Sequence, residues 1–398
     1  MSWPTVELGS LGTVYAGGTP SRGNADYWGE GIKWLSIKDY QDFDYVSFTK
    51  EQITDEGLRN SSAKLFSKGN VIISIFATLG RVAILGENMA TNQAIAAIDC
   101  HETIHNKYLM YALKAQLPEI ERKAGGVAQK NINLSILKSL QIPLPPLETQ
   151  KQIAEVLEKA DQLRKDCQQM EQELNSLSQS VFIDMFGSKA PGYSEWPLHH
   201  IEELAESKKG SMRTGPFGSD LKHSEFVDEG IAVIGIDNAV KNEFAWGERR
   251  FITPEKYEKL KRYRVYPQDL IITIMGTTGR IAVIPNDIPL SISTKHLAVI
   301  TLDKEKVLPE FLAIAIKTHP DLLHQILDSN KGAIMDGLNL GLIKALSLKL
   351  PPLDLQSEYL AVLKVIQEQV FESRSSLKQH NDLFNALMQK AFKGELNL

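Results

Sequence analysis

The sequence predicts an α/β (α+β) chain of two similar globular halves, each followed by a long helix. The two helices are expected to pack as an antiparallel coiled coil, giving the chain pseudo-two-fold symmetry. Three observations predict this. Pro145, Pro146, Leu147 and Gln150 recur as Pro351, Pro352, Leu353 and Gln356, at a constant offset of 206. A strand–turn–strand unit recurs in mid-half, as NVIISIFATLGRVAIL (70–85) and DLIITIMGTTGRIAVI (269–284). After each Pro-Pro pair, apolar residues alternate steps of three and four for about four heptads.

Taken in chain order, each half opens with Trp-Pro, at Trp3-Pro4 and Trp196-Pro197. The β-branched runs of the mid-half unit read as buried strands, and Thr-Leu-Gly or Thr-Thr-Gly between them reads as the turn. Within it Ile72, Ile73, Gly80 and Arg81 map onto Ile271, Ile272, Gly279 and Arg280, at an offset of 199. A further strand carries NQAIAAI (92–98) or KHLAVI (295–300), and short helices are expected around 107–123 and 309–327. The first helical seam is Ile153, Val156, Ala160, Leu163, Cys167, Met170, Leu174, Leu177 and Val181. The second is Leu363, Ile366, Val370, Ser373, Leu377, His380, Phe384, Leu387 and Ala391. Its polar Ser373 and His380 either fix the register, as buried polar residues do in coiled coils, or face a small void. Gly187 and Gly394 sit where helix stops belong. A helix of roughly 39 residues spans about 58 Å, longer than one DNA turn of about 34 Å. The boundaries are therefore 1–146 and 188–350 for the globular halves, with 147–187 and 351–398 as helical spacers.

Composition fits two soluble domains, with 43% hydrophobic and 23% charged residues in 398 positions. No apolar run approaches a membrane span, and MSWPTVELGS has no basic stretch followed by an apolar core. Two cysteines, Cys100 and Cys167, fit a reducing cytoplasm. The net charge of −5 hides an uneven distribution. Residues 1–146 hold 14 basic and 14 acidic side chains and residues 188–350 hold 21 of each, whereas 147–187 hold 4 against 8. The globular parts are neutral and have room for local basic faces.

Catalytic motifs are missing. The sequence has no G-x-G-x-x-G or G-x-x-x-x-G-K-[ST] loop to hold a nucleotide or methyl donor, and both Pro-Pro pairs are flanked by Leu rather than by the residues an amino-methyltransferase uses. His101 and His105, or His199-His200, do not make a metal set, so none is expected.

Several segments together resemble one family: GGTPSRGNADYWGEGIKWLSIKD (17–39), IISIFATLGRVAIL (72–85), AQKNINLSILKSLQIPLPPLETQKQIA (128–154) and, more loosely, TGPFGSDLK (214–222), MGTTGRIAVI (275–284) and LNLGLIKALSLKLPPLDLQ (338–356). The duplicated order is similar to that of specificity subunits of type I restriction–modification systems. The resemblance implies that each half is a target recognition domain reading one part of a split double-stranded DNA target. It implies that the coiled coil sets the spacing and docks two methyltransferase (modification) subunits and, through them, the restriction endonuclease subunit. S-adenosylmethionine, ATP and Mg would belong to those partners, leaving this chain non-catalytic and without cofactor. Alternatives are a specificity subunit of another class of restriction enzyme, or a coiled-coil scaffold with only nonspecific DNA affinity.

Within that frame the candidate DNA contacts can be named. KYEKLKRYR (256–264) carries Lys256, Lys259, Lys261, Arg262 and Arg264 with two tyrosines. It is either a phosphate-binding patch or a solvated helix face with Tyr257 and Tyr263 turned inward. Lys208, Lys209 and Arg213, with Lys222, sit in or beside the Gly-rich SMRTGPFGSDLK, either a loop that approaches a DNA backbone closely or an ordinary polar loop. Thr19, Ser21 and Arg22 follow Gly17-Gly18 in the equivalent loop, where Arg22 suits a guanine edge and a purely structural turn is the other reading. Arg81 and Arg280 serve either as a phosphate clamp or as internal braces. Asn92-Gln93 and Lys295-His296 are read as matched positions with different chemistry; Asn or Gln suits an adenine edge, a strand-edge structural role is the other reading, and Lys130 completes the set. The outer faces of the arms, such as Gln168, Gln169, Gln172 and Glu173, are where partner subunits are expected.

Overall fold

The computed structural model describes residues 3–40, 44–76, 78–123, 131–329 and 338–397. It divides into two compact units, Met1–Gln169 with Ser373–Leu398, and Met170–Glu372.

In the first unit, strands Gly12–Ala16, Ile95–Cys100, Val71–Ser74, Val82–Leu85 and Tyr45–Val46 form one sheet in that spatial order. A second sheet follows the order Glu51–Ile53, Trp28–Leu35, Met89–Thr91, Leu65–Phe66. The second unit repeats this order, without a counterpart of Tyr45–Val46 among its described residues. Its first sheet runs Met212–Thr214, Leu297–Ile300, Leu270–Thr273, Ile281–Val283, and its other sheet runs Phe251–Ile252, Ile231–Ile234, Ser291–Ser293, Arg264–Val265. Each second sheet contains a parallel pair at the same place, Trp28–Leu35 with Met89–Thr91 and Ile231–Ile234 with Ser291–Ser293. Strands 71–74, 82–85 and 270–273 are buried along their whole length, which is why they read as continuous β-branched runs rather than as alternating patterns.

The turns between the matched strands are the same object twice. Gly80 and Gly279 adopt φ of +87° and +81°, where a side chain is strained. Buried Ser74 and Thr273 each donate from the hydroxyl into the turn, to Thr78 O and Thr277 O. Each also accepts the N–H of the following arginine, Arg81 at 2.9 Å and Arg280 at 2.8 Å.

The repeated Pro-Pro-Leu-x-x-Gln pattern has an equally specific cause. Gln150 is fully buried; its Oε1 accepts the His105 N–H at 2.8 Å, and its Nε2 donates to Thr103 O and Pro145 O. Gln356 does the same with the Leu308 N–H at 2.9 Å, Lys306 O and Pro351 O. His105 and Leu308 are the N-caps of helices Asn106–Ala115 and Pro309–Thr318. Each glutamine therefore fastens the first turn of a long helix to the start of a domain helix. Two-stranded ribbons close the bases, Thr5–Glu7 with Gln141–Pro143 and Leu198–His200 with Ser347–Lys349. Proline breaks the expected helical segments in two, at Pro118 within 106–123 and at Pro320 within 309–329.

The long helices are Leu147–Phe186 and Leu353–Lys393. Within the first unit they run antiparallel. Arg164 meets Asn381 and stacks on Phe384, while Cys167 meets His380 at 3.4 Å and accepts the Ser373 hydroxyl on its carbonyl at 2.9 Å. The two polar seam residues thus bond to the facing helix instead of facing a void. In the second unit Phe182 and Phe186 pack edge-on against Tyr359.

The seam itself needs a correction. Ile153, Ala160, Leu363, Ile366, Val370 and Phe384 are buried, and Val156, Cys167, Leu174, Val181, Leu377 and Leu387 are half-buried. Leu163, Met170 and Leu177 are 44, 50 and 48% exposed. A straight α-helix drifts about 20° per heptad against a 3.5 repeat. In the first unit the buried stripe accordingly runs Ile153, Ala154, Leu157, Ala160, Asp161, at the 3.6 spacing of a helix facing a globular core.

Candidate nucleic-acid interface

In the first unit the loop at 17–22 is held by close backbone approach. The Gly17 N–H donates to Ile95 O and the Gly18 N–H to Thr91 O, and a Cβ on Gly17 would lie 2.2 Å from the Thr91 carbonyl oxygen. Two indoles fix the outer side, Trp34 Nε1 donating to Gly18 O at 2.9 Å and Trp28 Nε1 to Ser21 O at 3.1 Å. The result places Thr19 against Gln93, hydroxyl to amide oxygen at 2.5 Å. Asn92 uses its side-chain oxygen on the Ala94 N–H, while Gln93 is exposed. Thr19 and Gln93 therefore share one edge, with Asn92 next in the chain. Arg22 lies over the Trp28 ring at 3.7 Å and pairs with Glu51, Nη2 to Oε2 at 2.9 Å. The hydrogen bond to Glu51 raises the Arg22 pKa, and Arg22 in turn holds the Glu51 carboxyl below its usual value. A base contact by Arg22 has to displace this acid.

In the second unit the equivalent loop is built on the same constraint, since a Cβ on Gly215 would lie 2.3 Å from the Thr294 carbonyl carbon. Beside it opens a cleft of about 700 Å³ lined by Lys222, Phe226, Asp237, Arg250, Lys295 and His296, among others. Arg250 Nη2 lies 3.1 Å from Asp237 Oδ1. Burial, then Lys295 and Arg250, hold the His296 pKa below its usual value. Phe217 on the loop and Met275 on the turn are exposed. Sequence reasoning missed Asp237 and Arg250, which lie some 45–60 residues from Lys295 in sequence and carry no motif.

The matched arginines part company. Arg81 is half-buried and donates to the Tyr40 carbonyl, whose own hydroxyl donates to Arg81 O at 2.7 Å, so it braces the turn. Arg280 is exposed, and its guanidinium has no partner among the described residues.

Two candidates in the second unit are committed elsewhere. Arg213 is 9% exposed and pairs at 2.7 Å with Asp269, itself 1% exposed. Its remaining N–H groups go to Arg264 O, Gly210 O and Thr301 Oγ1. Burial pushes the Asp269 carboxyl up against the pull of Arg213 and Thr301. A guanidinium so enclosed is a structural floor, which removes Arg213 from the candidate contacts. Lys256 is paired with Glu225 at 2.6 Å. Tyr257 and Tyr263 pack against the small core around Ile252 and Leu260, as the solvated-helix reading requires. Lys259 is exposed, Arg264 lies over the Tyr266 ring at 4.8 Å, and Lys208, Lys209, Lys261 and Arg262 converge on one cleft. Lys130 lies outside the described residues. His101 and His200 bind the carbonyls of Ser10 and Ala345, and His199 binds Glu203.

The model of the family described as "Type I restriction modification DNA specificity domain" matches residues 1–176 and 193–379. The MjaIX type I restriction enzyme specificity subunit of Methanocaldococcus jannaschii is 24% identical over all of this chain and 94% of its own length. The EcoBI specificity subunit of Escherichia coli is 26% identical over 77% of this chain and 69% of its own. Among solved structures, a type I restriction–modification S subunit from M. genitalium superposes with a TM-score of 0.55 at 17% identity, covering 98% of this chain and 96% of that one. A chain from a study of type I complex assembly and conformational transition reaches 0.61 at 16% identity, covering 99% and 98%.

Proposed function

The chain belongs to the type I restriction modification DNA specificity family, and on that premise we propose how it performs DNA target recognition within a restriction–modification complex. Residues 1–146 and 188–350 each read one part of a split duplex target, and the helices of 147–187 and 351–398 set the distance between the parts. One observation carries this reading. The Gly17 and Gly215 loops and the Gly80 and Gly279 turns repeat the same backbone frame; the strand register pairs Ile95 with Leu297, one residue off the match read from the sequence, so the side chains beside them change from Asn92-Gln93-Ala94 to Thr294-Lys295-His296. A repeated frame carrying different hydrogen-bonding edges suits a reader of two different base sequences.

The chain is non-catalytic and cytoplasmic in this reading. It recruits two methyltransferase subunits and through them the endonuclease subunit, which bring S-adenosylmethionine, ATP and Mg. The half-exposed Leu163, Met170 and Leu177, spaced by sevens, support docking of partner helices on the arms. Among the described residues no helix is long and apolar enough to cross a membrane. The test is half-site selectivity. Asn92→Ala with Gln93→Ala changes base preference in one half-site only, and Lys295→Ala with His296→Ala changes it in the other. A change spread over both half-sites in either variant contradicts the assignment.

A further inference from the structure

We propose that the second unit, alone of the two, carries a phosphate-binding cleft at the end of its sheet opposite the Lys295 cleft, with Gln268 as its neutral hydrogen-bond donor. The cleft measures about 720 Å³. Lys208 and Lys209 precede strand Met212–Thr214, Lys304 follows strand Leu297–Ile300, and Lys261 and Arg262 come from the single turn Lys261–Tyr263. The loop 215–222 and Lys295 lie at the other ends of those same two strands. Of the acids at these cations, Glu206 is paired with Lys208 at 2.9 Å, Glu258 with Lys261 at 3.3 Å and Asp220 with Arg262 at 3.5 Å, while Asp269 is closed off beneath Arg213. Lys209 and Lys304 are exposed and have no partner among the described residues. Converging ammonium groups in an open cleft match the charge of phosphate.

The second observation is backbone strain. Gln268 holds φ of +69°, a left-handed conformation that costs any residue with a Cβ. Its N–H donates to Ile284 O at 2.9 Å, and the equivalent bond in the first unit joins Gly69 to Leu85 O at 2.8 Å. Gly69 makes the same turn at φ +91° with no side chain to strain. Gln268 lines the cleft, and its side-chain amide has no partner among the described residues. A strained side chain kept where its duplicate is glycine is expected of a ligand contact. The matching place in the first unit sets Lys68 and Lys151 against Asp99 and Glu102, so its charges cancel.

The phosphate comes from a duplex backbone or from a free polyphosphate; only the duplex source rests on the function proposed above. The test uses the full chain with its modification-subunit partner, as wild type, K209Q/K304Q and Q268G. Duplex affinity is measured against salt, and inorganic tripolyphosphate is titrated in thermal melts. With the backbone as source, K209Q/K304Q flattens the log–log salt slope by about 1.8, at roughly 0.9 per phosphate, equally on specific and scrambled duplexes. Q268G then raises Tm by roughly 2–4 °C while weakening duplex binding roughly fivefold. With a free anion as source, tripolyphosphate raises the Tm of wild type and not of K209Q/K304Q, and the slope is unchanged. An unchanged slope together with no tripolyphosphate shift overturns the cleft. A selected motif that survives alongside those null results leaves the recognition function standing. A flattened slope with no motif selected even by wild type sinks that function and keeps the cleft.

Discussion

Gln150 is the residue on which the hinge between domain and helix rests most heavily, and its role was hidden from the sequence. The repeat marked the position, but its partners Thr103 and His105 lie 45 or more residues away and carry no pattern. Removing it leaves a buried N–H and two carbonyls unpaired, at roughly 1–3 kcal/mol per group. Gln150→Ala is therefore expected to lower stability by about 3 kcal/mol or more in urea unfolding; a loss below about 0.5 kcal/mol would refute the fastening role. Arg213 teaches the same lesson in reverse. A cation beside a Gly-rich loop reads as a contact until Asp269, 56 positions on, is seen to bury it. Asp44 supplies a pH test. Burial alone would push its carboxyl up, but Lys114 and Lys165 outweigh burial and hold it at about 2, below the ordinary 3.8. A depressed folded value means the stabilisation is complete above the unfolded pKa and is lost as pH falls from about 4 towards 2. Asp44→Asn should flatten the stability profile in that window, and an identical profile for both proteins would contradict the assignment.

Among the elements, the strands were legible because they are buried on both faces and read as β-branched runs between turn residues. The long helices were legible in length and limits, for no proline interrupts them. Their inward face was only partly legible. A strict heptad names Leu163, Met170 and Leu177 and passes over Leu157 and Phe182, which are fully buried against the domain cores. Helix spacing against a globular surface won over coiled-coil spacing there. Leu157→Ala is expected to cost about 2–5 kcal/mol. Leu177→Ser should change the stability of the isolated chain by less than about 0.5 kcal/mol yet weaken capture of the modification subunit. Equal destabilisation by both variants in thermal melts would restore the heptad seam.

For the molecule as a whole, the duplication was the most legible feature, and it extends further than the sequence suggested. Strand order, the parallel pair, the glycine turn and the buried glutamine all recur. What differs between the units is the chemistry of their edges, and that depends on residues such as Asp237, Arg250 and Gln268 that only folding brings to the clefts. If the helices act as a ruler, four residues inserted into both arms add about 6 Å, roughly two base pairs of spacer. Both half-sites should survive that insertion, and an unchanged spacer would discard the ruler. The claim beneath all of this is that one chain reads two separate parts of a duplex. Selection from random duplex DNA with the chain and its modification subunit tests it most directly. The account predicts enrichment of a split motif with a spacer of fixed length and no base preference; enrichment of DNA without any motif would contradict it.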